Sequence, residues 1–116
     1  MALKDLTTVW TLGDRNGITT WDSAAFGDTY APLQLKAVLA DIHFGVEGLA
    51  NTAVELHGSL DGTNYYQLKD LDGSLISLTS DGIVEVRSSP PFYKPVNSGG
   101  SDAAIICVLH HAKVYA

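Results

Sequence analysis

Four histidines are the first residues in this sequence that could do chemistry, because three or four converging imidazoles, thiolates or carboxylates can hold zinc. They are His43, His57, His110 and His111. His110 and His111 are adjacent, so on a strand their side chains point to opposite faces. At most one of them could join His43 or His57, and we therefore interpret the histidines as solvent-exposed or strand-end residues, with no metal site.

Three aspartates lie within twelve residues and suggest calcium as a second possibility: Asp61, Asp70 and Asp72. A calcium loop needs oxygen ligands at alternate positions and a closing bidentate acid. The run from Asp70 to Gly73 lacks both the third ligand and the closing glutamate. We interpret these aspartates as turn residues.

Nucleophilic catalysis has few candidates. Cys107 is the only cysteine, so no internal disulfide can form, and it lies within an apolar run, where a thiol behaves as a small hydrophobic side chain. Neither a Gly-x-Ser-x-Gly elbow nor a glycine-rich phosphate loop is present. We predict no catalytic residue and no cofactor. A small β-barrel enzyme with three polar residues converging in a pocket remains an alternative.

Aromatic residues could form a surface for sugars or for a protein partner, because rings give a large contact area with few rotatable bonds. The alternative for the two tryptophans is a place in the core. Phe92 and Tyr93 stand among prolines in a predicted loop, which favours an interface. The candidates for a sugar-binding platform are Trp10, Trp21, Tyr65 and Tyr93.

Strands must position these residues. Apolar and polar side chains alternate over residues 54–61, which predicts a half-buried strand, and a returning strand follows at residues 65–69. Asp-Gly steps at 61–62, 72–73 and 81–82 separate short alternating runs and predict an antiparallel meander. Asn16-Gly17 predicts a hairpin in the N-terminal third.

Two longer segments complete the pattern. Residues 33–46 are apolar with a slip in phase near Ala37 and Val38, which predicts a bulge or a strand that changes sheets; a helix over residues 33–42 is the rival. Three prolines predict a loop or edge segment over residues 88–101. Residues 103–114 are apolar on both parities, which predicts a central strand covered on both faces.

Eight to nine short strands in one domain of 116 residues predict an antiparallel β-sandwich or a small barrel. The formal net charge is −6, which disfavours nucleic acid as a partner. Neither a secretory signal nor an apolar run long enough to span a membrane is visible, so we expect a protein made in the cytoplasm.

The run Val54-Glu55-Leu56-His57-Gly58-Ser59-Leu60-Asp61-Gly62-Thr63-Asn64-Tyr65-Tyr66, with Tyr93-Lys94-Pro95, Gly99-Gly100 and an apolar final strand, resembles a known kind of module. It is similar to small β-sandwich structural proteins of tailed bacteriophages, in particular head decoration (cement) proteins and related tail or connector accessories. The resemblance covers residues 50–114. It implies a jelly-roll-like sandwich without enzymatic activity that assembles as a symmetric oligomer, often a trimer on a capsid.

From these features we predict a virion protein that decorates the head, with the major capsid protein and its own copies as partners. A tail or head–tail connector protein is the first alternative, and a carbohydrate-binding sandwich is the second, with glycans as its partner. Residues 1–6 are a candidate extended arm. The candidate interface residues are Leu3, Lys4, Leu6, Tyr65, Phe92 and Tyr93.

Overall fold

The computed structural model describes residues 3–11, 16–24, 28–35, 39–88, 90–102 and 104–113. Among them no helix occurs, and therefore none that could span a membrane. They form twelve strands, five of which have only two residues: β1 (Leu3–Lys4), β2 (Leu6–Thr11), β3 (Asn16–Ala24), β4 (Thr29–Tyr30), β5 (Leu33–Gln34), β6 (Leu39–Glu47), β7 (Ala53–Ser59), β8 (Tyr66–Gln67), β9 (Ser77–Leu78), β10 (Gly82–Glu85), β11 (Phe92–Ser98) and β12 (Ile105–Lys113).

These strands build two antiparallel sheets. The first sheet has the order β10-β6-β12-β3-β2. The second sheet has the order β5-β11-β7-β8, and β9 also pairs with β7. A short parallel pair joins β1 to β4. The chain is therefore all-β and sandwich-like, as the alternating pattern predicts.

The inner faces of both sheets share one hydrophobic core. The first sheet contributes Trp21, Phe44 and Leu109, and the second contributes Leu56 and Tyr93, all of them fully buried. Burial of an aliphatic or aromatic side chain of this size contributes about 1.5–3 kcal/mol to stability. The predicted place of Trp21 in the core is confirmed.

The predicted strand and hairpin signals hold in part. β7 buries Val54 and Leu56 on one face, and Gly62 and Gly73 have the positive φ angles that their Asp-Gly turns require. The antiparallel meander holds only in part. β7 pairs with β8 across the Asp61-Gly62 turn, and Lys69 forms an antiparallel bridge with Leu75 across the Asp72-Gly73 turn. The meander ends there, because β9 pairs with β7 and β10 pairs with β6 of the first sheet.

The segment from 33 to 46 changes sheets, which is one of the predicted outcomes. β5 belongs to the second sheet and β6 to the first, and both are strands and not parts of a helix. The phase slip at Ala37 and Val38 lies outside the described residues. Ile42, Phe44 and Val46 then alternate inward along β6, as predicted.

Residues 88–101 are predicted as a loop or an edge segment. The loop is wrong over Phe92–Ser98, which form β11, whereas the edge alternative holds from Lys94 to Ser98, which pair with β7 alone among the described strands. β7 pairs along the whole of β11, but β5 pairs only with Phe92 and Tyr93. Pro95 therefore stands where only one side of the strand has a ladder, a position that tolerates proline.

The N-terminal residues are paired within the chain. β2 and β3 form the predicted hairpin, although Asn16 and Gly17 belong to β3 and the turn over residues 12–15 lies outside the described residues. Leu3 pairs with Thr29, and Leu6 packs against the core. From Leu3 onward the chain therefore does not form the free arm that the sequence suggested; residues 1–2 lie outside the described residues.

Asp102 joins two loops at one end of the sandwich. Its Oδ2 accepts hydrogen bonds from the backbone N–H groups of Ala50, Asn51 and Thr52, at 2.9, 3.0 and 2.9 Å. These donors lie between β6 and β7, whereas Asp102 lies between β11 and β12. Because backbone N–H groups favour the ionised form, they lower the pKa of Asp102 to about 2.

Candidate functional site

β12 carries the clearest functional signal, because its two faces have different surroundings. Cys107 and Leu109 point inward and are fully buried. Ile106 and Val108 point outward and are only half-buried. The position of β12 between β6 and β3 confirms the predicted central strand, but its outer face is covered only in part. Ile106 and Val108 on this outer face are apolar, but they are less buried than apolar side chains usually are.

Aliphatic side chains on neighbouring strands extend this outer surface. Residues directly opposite each other in an antiparallel ladder share a face. Val108 lies opposite Gly45, Gly45 lies opposite Ile83, and Ile18 lies opposite Val9. Ile83, Val9 and Ile18 are 75%, 55% and 40% exposed. We call this surface the open face; its apolar residues and histidines are Val9, Ile18, His43, Gly45, Ile83, Ile106, Val108 and His110, and Thr7, Thr20, Glu47 and Glu85 lie on the same face.

Gly45 produces a groove in the open face. A groove with a volume of about 520 Å³ runs over Gly45 between Ile83 of β10 and Val108 of β12. A Cβ atom at Gly45 would lie 3.3 Å from Cγ1 of Ile83, so a side chain at this position would fill the groove. Glycine within a central strand weakens the strand but allows another chain to approach its backbone.

Polar groups of different kinds close the two ends of the groove. At one end His43 and His110 lie opposite each other on β6 and β12, with ring centroids 5.9 Å apart. At the other end stand the carboxylates of Glu47 and Asp81. No lysine or arginine is among the described residues that line the groove. It can therefore hold an apolar side chain of a partner next to a basic group.

Groups that could do catalysis are held in structural roles. Cys107 packs in the core as its apolar run predicts, and burial raises the pKa of its thiol to about 12. Within the described residues, no three His, Cys, Asp or Glu side chains cluster as metal ligands would. The His57 Nε2 lies 2.8 Å from Oε1 of Glu55 on the outer side of β7.

The aspartates hold turns, which confirms their interpretation. Oδ1 of Asp61 accepts the backbone N–H groups of Thr63 and Asn64, at 2.8 and 2.9 Å. These bonds hold the pKa of Asp61 well below its usual range. Asp70 accepts the N–H groups of Asp72 and Ser74 in the same way.

His110 and His111 point to opposite faces, as predicted. The sequence interprets the histidines as solvent-exposed or strand-end residues, but His43, His57 and His110 are half-buried, and His111 lies near the end of β12 with its side chain fully buried. The Nε2 of His111 lies 3.1 Å from the hydroxyl oxygen of Thr19. The ring of Trp10 packs edge-on against it, with centroids 5.0 Å apart. Gly17 makes room for the imidazole, since a Cβ there would clash with Cε1 of His111.

The candidate interface residues at the N-terminus do not share one environment. Leu3 is exposed beside β4, whereas Leu6 packs against the core. Lys4 belongs to β1, and its side chain lies outside the described residues.

The aromatic candidates do not form a common surface. Tyr93 is fully buried, so its ring belongs to the core and its proposed place at an interface is wrong. Phe92 is half-buried and covers the turn at Gly62. Tyr65 is half-buried as well, with the Nζ of Lys94 lying 4.2 Å from its ring centroid.

The sugar-binding platform is likewise not assembled from its four candidate rings. Trp21 and Tyr93 are buried, Trp10 packs against His111, and Tyr65 lies under Lys94. Stacking on a sugar needs exposed rings in a row. The N–H of the Trp21 indole is also engaged, since Nε1 donates to the carbonyl oxygen of Ala31 at 2.8 Å.

Comparisons of this chain with protein-family models, with curated proteins and with solved structures found no match.

Sequence reasoning did not single out the residues of the open face. Gly45, Ile83 and Val108 are ordinary members of strands in the sequence. Two signals were nevertheless present: apolar residues on both parities of residues 103–114, and a glycine in the middle of a strand whose alternate residues Ile42, Phe44 and Val46 are apolar. Only the sheet order brings these two signals together, because it places β6 beside β12.

Proposed function

We propose that this chain is a structural protein of a phage virion, a capsid decoration protein that binds and stabilises the assembled head as a homo-oligomer. In this proposal the open face is the surface that contacts the major capsid protein. The observation that carries it is the aliphatic groove over Gly45, which lies on an ordered sheet and leaves Ile83 three-quarters exposed. Exposed apolar patches on rigid elements are typical of protein interfaces.

The size of the open face suits an attachment that depends on several copies. Strands lie about 4.8 Å apart and rise about 3.3 Å per residue, so five strands of 4 to 9 residues give roughly 500–700 Å². A standard interface covers about 800 Å² on each partner. A single copy would therefore bind weakly, and several linked copies would bind tightly.

The chemistry of the groove defines the complementary surface. An aliphatic or aromatic side chain of the shell would enter between Ile83 and Val108. A lysine or arginine beside it would meet Glu47 and Asp81. An acidic chain with a net charge of −6 is suited to a basic protein surface and unsuited to nucleic acid.

The resemblance of residues 50–114 to phage head proteins supports the choice of a capsid as partner. It also implies a jelly-roll-like form of the sandwich, which belongs to this proposal. Three copies in the oligomer are likewise what the resemblance implies, and the proposed function requires a homo-oligomer without fixing its number of copies. A lightly charged module without a catalytic constellation fits a protein whose activity is attachment.

Co-sedimentation tests the proposal. The purified chain is mixed with heads of the encoding phage that were assembled without it, and also with isolated tails of that phage. We expect the chain to sediment with the heads and to raise the temperature at which they release their DNA. Sedimentation with tails alone would favour the tail or connector alternative. Absence from both pellets would contradict a virion role.

A further inference from the structure

The edges of the two sheets differ in length and charge. β2 spans six residues and β10 four, whereas β5, β8 and β9 span two each. Within the described part of the chain, no strand pairs with the outer side of β2. β2 is therefore the longest edge at which another strand could be added.

β2 also lacks the features that usually protect an edge. Natural sheets block addition of strands with charges, proline, bulges or very short strands. Leu6–Thr11 contains neither a charged residue nor proline, and its threonines, valine and tryptophan favour strands. β10, by contrast, is short and carries Glu85 within the strand; an aspartate precedes each strand, Asp5 before β2 and Asp81 before β10.

We propose that a second copy of this chain pairs with β2 through its own β2, antiparallel and about a two-fold axis. An uncharged strand can pair with the same strand of a second copy, because the two-fold contact then places no like charges opposite each other. The same contact through β10 would bring the acidic Asp81 and Glu85 of the two copies close together. The commonest oligomers are two-fold dimers of this isologous kind.

The pleat restricts the register of this pairing. Directly opposite residues share a face, so Thr7 and Val9, which point outward, can meet only outward-pointing residues of the other copy. A two-fold axis that passes beside Thr8 lets most residues of β2 pair with the second copy. It places Thr7 opposite Val9 on the outer side and Leu6 opposite Trp10 on the inner side. Val9 and the neighbouring Ile18 would then be covered in part by the second copy.

This pairing has a consequence for attachment, and that consequence rests on the proposed function. The two-fold axis stands perpendicular to the joined sheet, so both open faces point to the same side. The two copies would offer the shell roughly 1,000 Å² or more in one plane. A two-fold contact of this kind gives a dimer, whereas the resemblance implies a trimer.

Mass measurement by light scattering, together with sedimentation equilibrium, tests the contact. We expect the unaltered chain to be a dimer. The double variant T7K/V9K places two lysines from each copy around the axis and should raise the dimer dissociation constant by about tenfold or more. The double variant T7E/V9K instead places a glutamate opposite a lysine in both outward-facing cross-strand pairs and should remain dimeric. Both sites are exposed, and circular dichroism checks that each variant folds.

Ile83→Lys is the matched control, since it places a lysine on the opposite edge strand of the same sheet. It should leave the dimer intact. A monomer or a trimer of the unaltered chain, or equal dissociation of the T7K/V9K and T7E/V9K variants, would overturn the contact. A dimer that does not sediment with heads would contradict the proposed function alone, and a monomer that does would contradict this contact alone.

Discussion

The outer faces of the two sheets are built in opposite ways. On the second sheet, β7 alternates strictly, with Val54 and Leu56 inside and Glu55 and His57 outside. On the first sheet, β12 is apolar on both sides, with Leu109 inside and Val108 outside. Both faces belong to one sandwich and share one core, so the difference lies in the side chains that each sheet turns outward.

The outer face of the second sheet makes its contacts within the chain. His57 and Glu55 lie 2.8 Å apart, and Lys94 covers the ring of Tyr65. Such polar pairs are stable in water and contribute little to the stability of the fold. The open face has a groove in place of these contacts. The comparison shows that alternation along β7 gives a polar outer face, whereas β12 turns Ile106 and Val108 outward. The proposed contact with a partner rests on this difference.

The largest effect should come from truncating the two sides of β12 separately. Leu109→Ala removes a fully buried side chain and should lower the free energy of unfolding by about 3 kcal/mol. Val108→Ala removes a half-buried side chain from the open face and should cost about 1 kcal/mol or less. Urea unfolding of both variants measures the difference. Equal losses would show that the outer face is as well packed as the core.

A smaller effect should follow from Asp102→Asn, which weakens the link between loops of the two sheets. The pKa of Asp102 falls from 3.8 to about 2 on folding, so its carboxylate stabilises the fold above about pH 3.8. This contribution is lost as the pH falls through about 2. We expect the variant to be less stable than the unaltered chain at pH 7. The two should converge near pH 2.

Thermal unfolding of both chains over this pH range checks the sign. A constant difference between them down to pH 2 would contradict the assignment of the shift to this carboxylate. Asp61 is a useful comparison, because its hydrogen bonds stay within one turn and connect no second loop.

The smallest effect should come from the polar pair on the second sheet. Glu55→Ala removes the partner of His57 and should change the free energy of unfolding by less than about 1 kcal/mol, because both side chains are partly exposed. It should leave the sedimentation of the chain with heads unchanged. A loss of head binding in this variant would indicate that the second sheet, and not the open face, contacts the head.

The sequence predicts much of the fold because two signals are local. Alternation over residues 54–59 and positive-φ glycines after aspartate depend on neighbours in the chain, and β7 and its turn follow from them. The same signals do not say which strands pair. The expected meander continues only as far as the bridge between Lys69 and Leu75, whereas β9 attaches to β7 and β10 to β6.

The sequence does not predict the open face, because this surface depends on the order of the strands in the first sheet. Val108, Gly45 and Ile83 are separated by up to 63 positions and become neighbours only when β6 lies between β10 and β12. The interface predicted at Tyr93 was wrong for a related reason. Prolines around Phe92 and Tyr93 suggested a loop, whereas the pairing of β11 with β7 over its whole length draws Tyr93 into the core.

Head binding by two matched lysine variants tests the central claim most directly. Ile83 is 75% exposed on an edge strand of the first sheet, and Tyr66 is 73% exposed on an edge strand of the second. Neither substitution removes a core contact, so Ile83→Lys and Tyr66→Lys should both fold. We predict that Ile83→Lys lowers the affinity for heads by about tenfold or more, whereas Tyr66→Lys leaves it unchanged. Equal affinities, or a loss confined to Tyr66→Lys, would contradict the assignment of the open face.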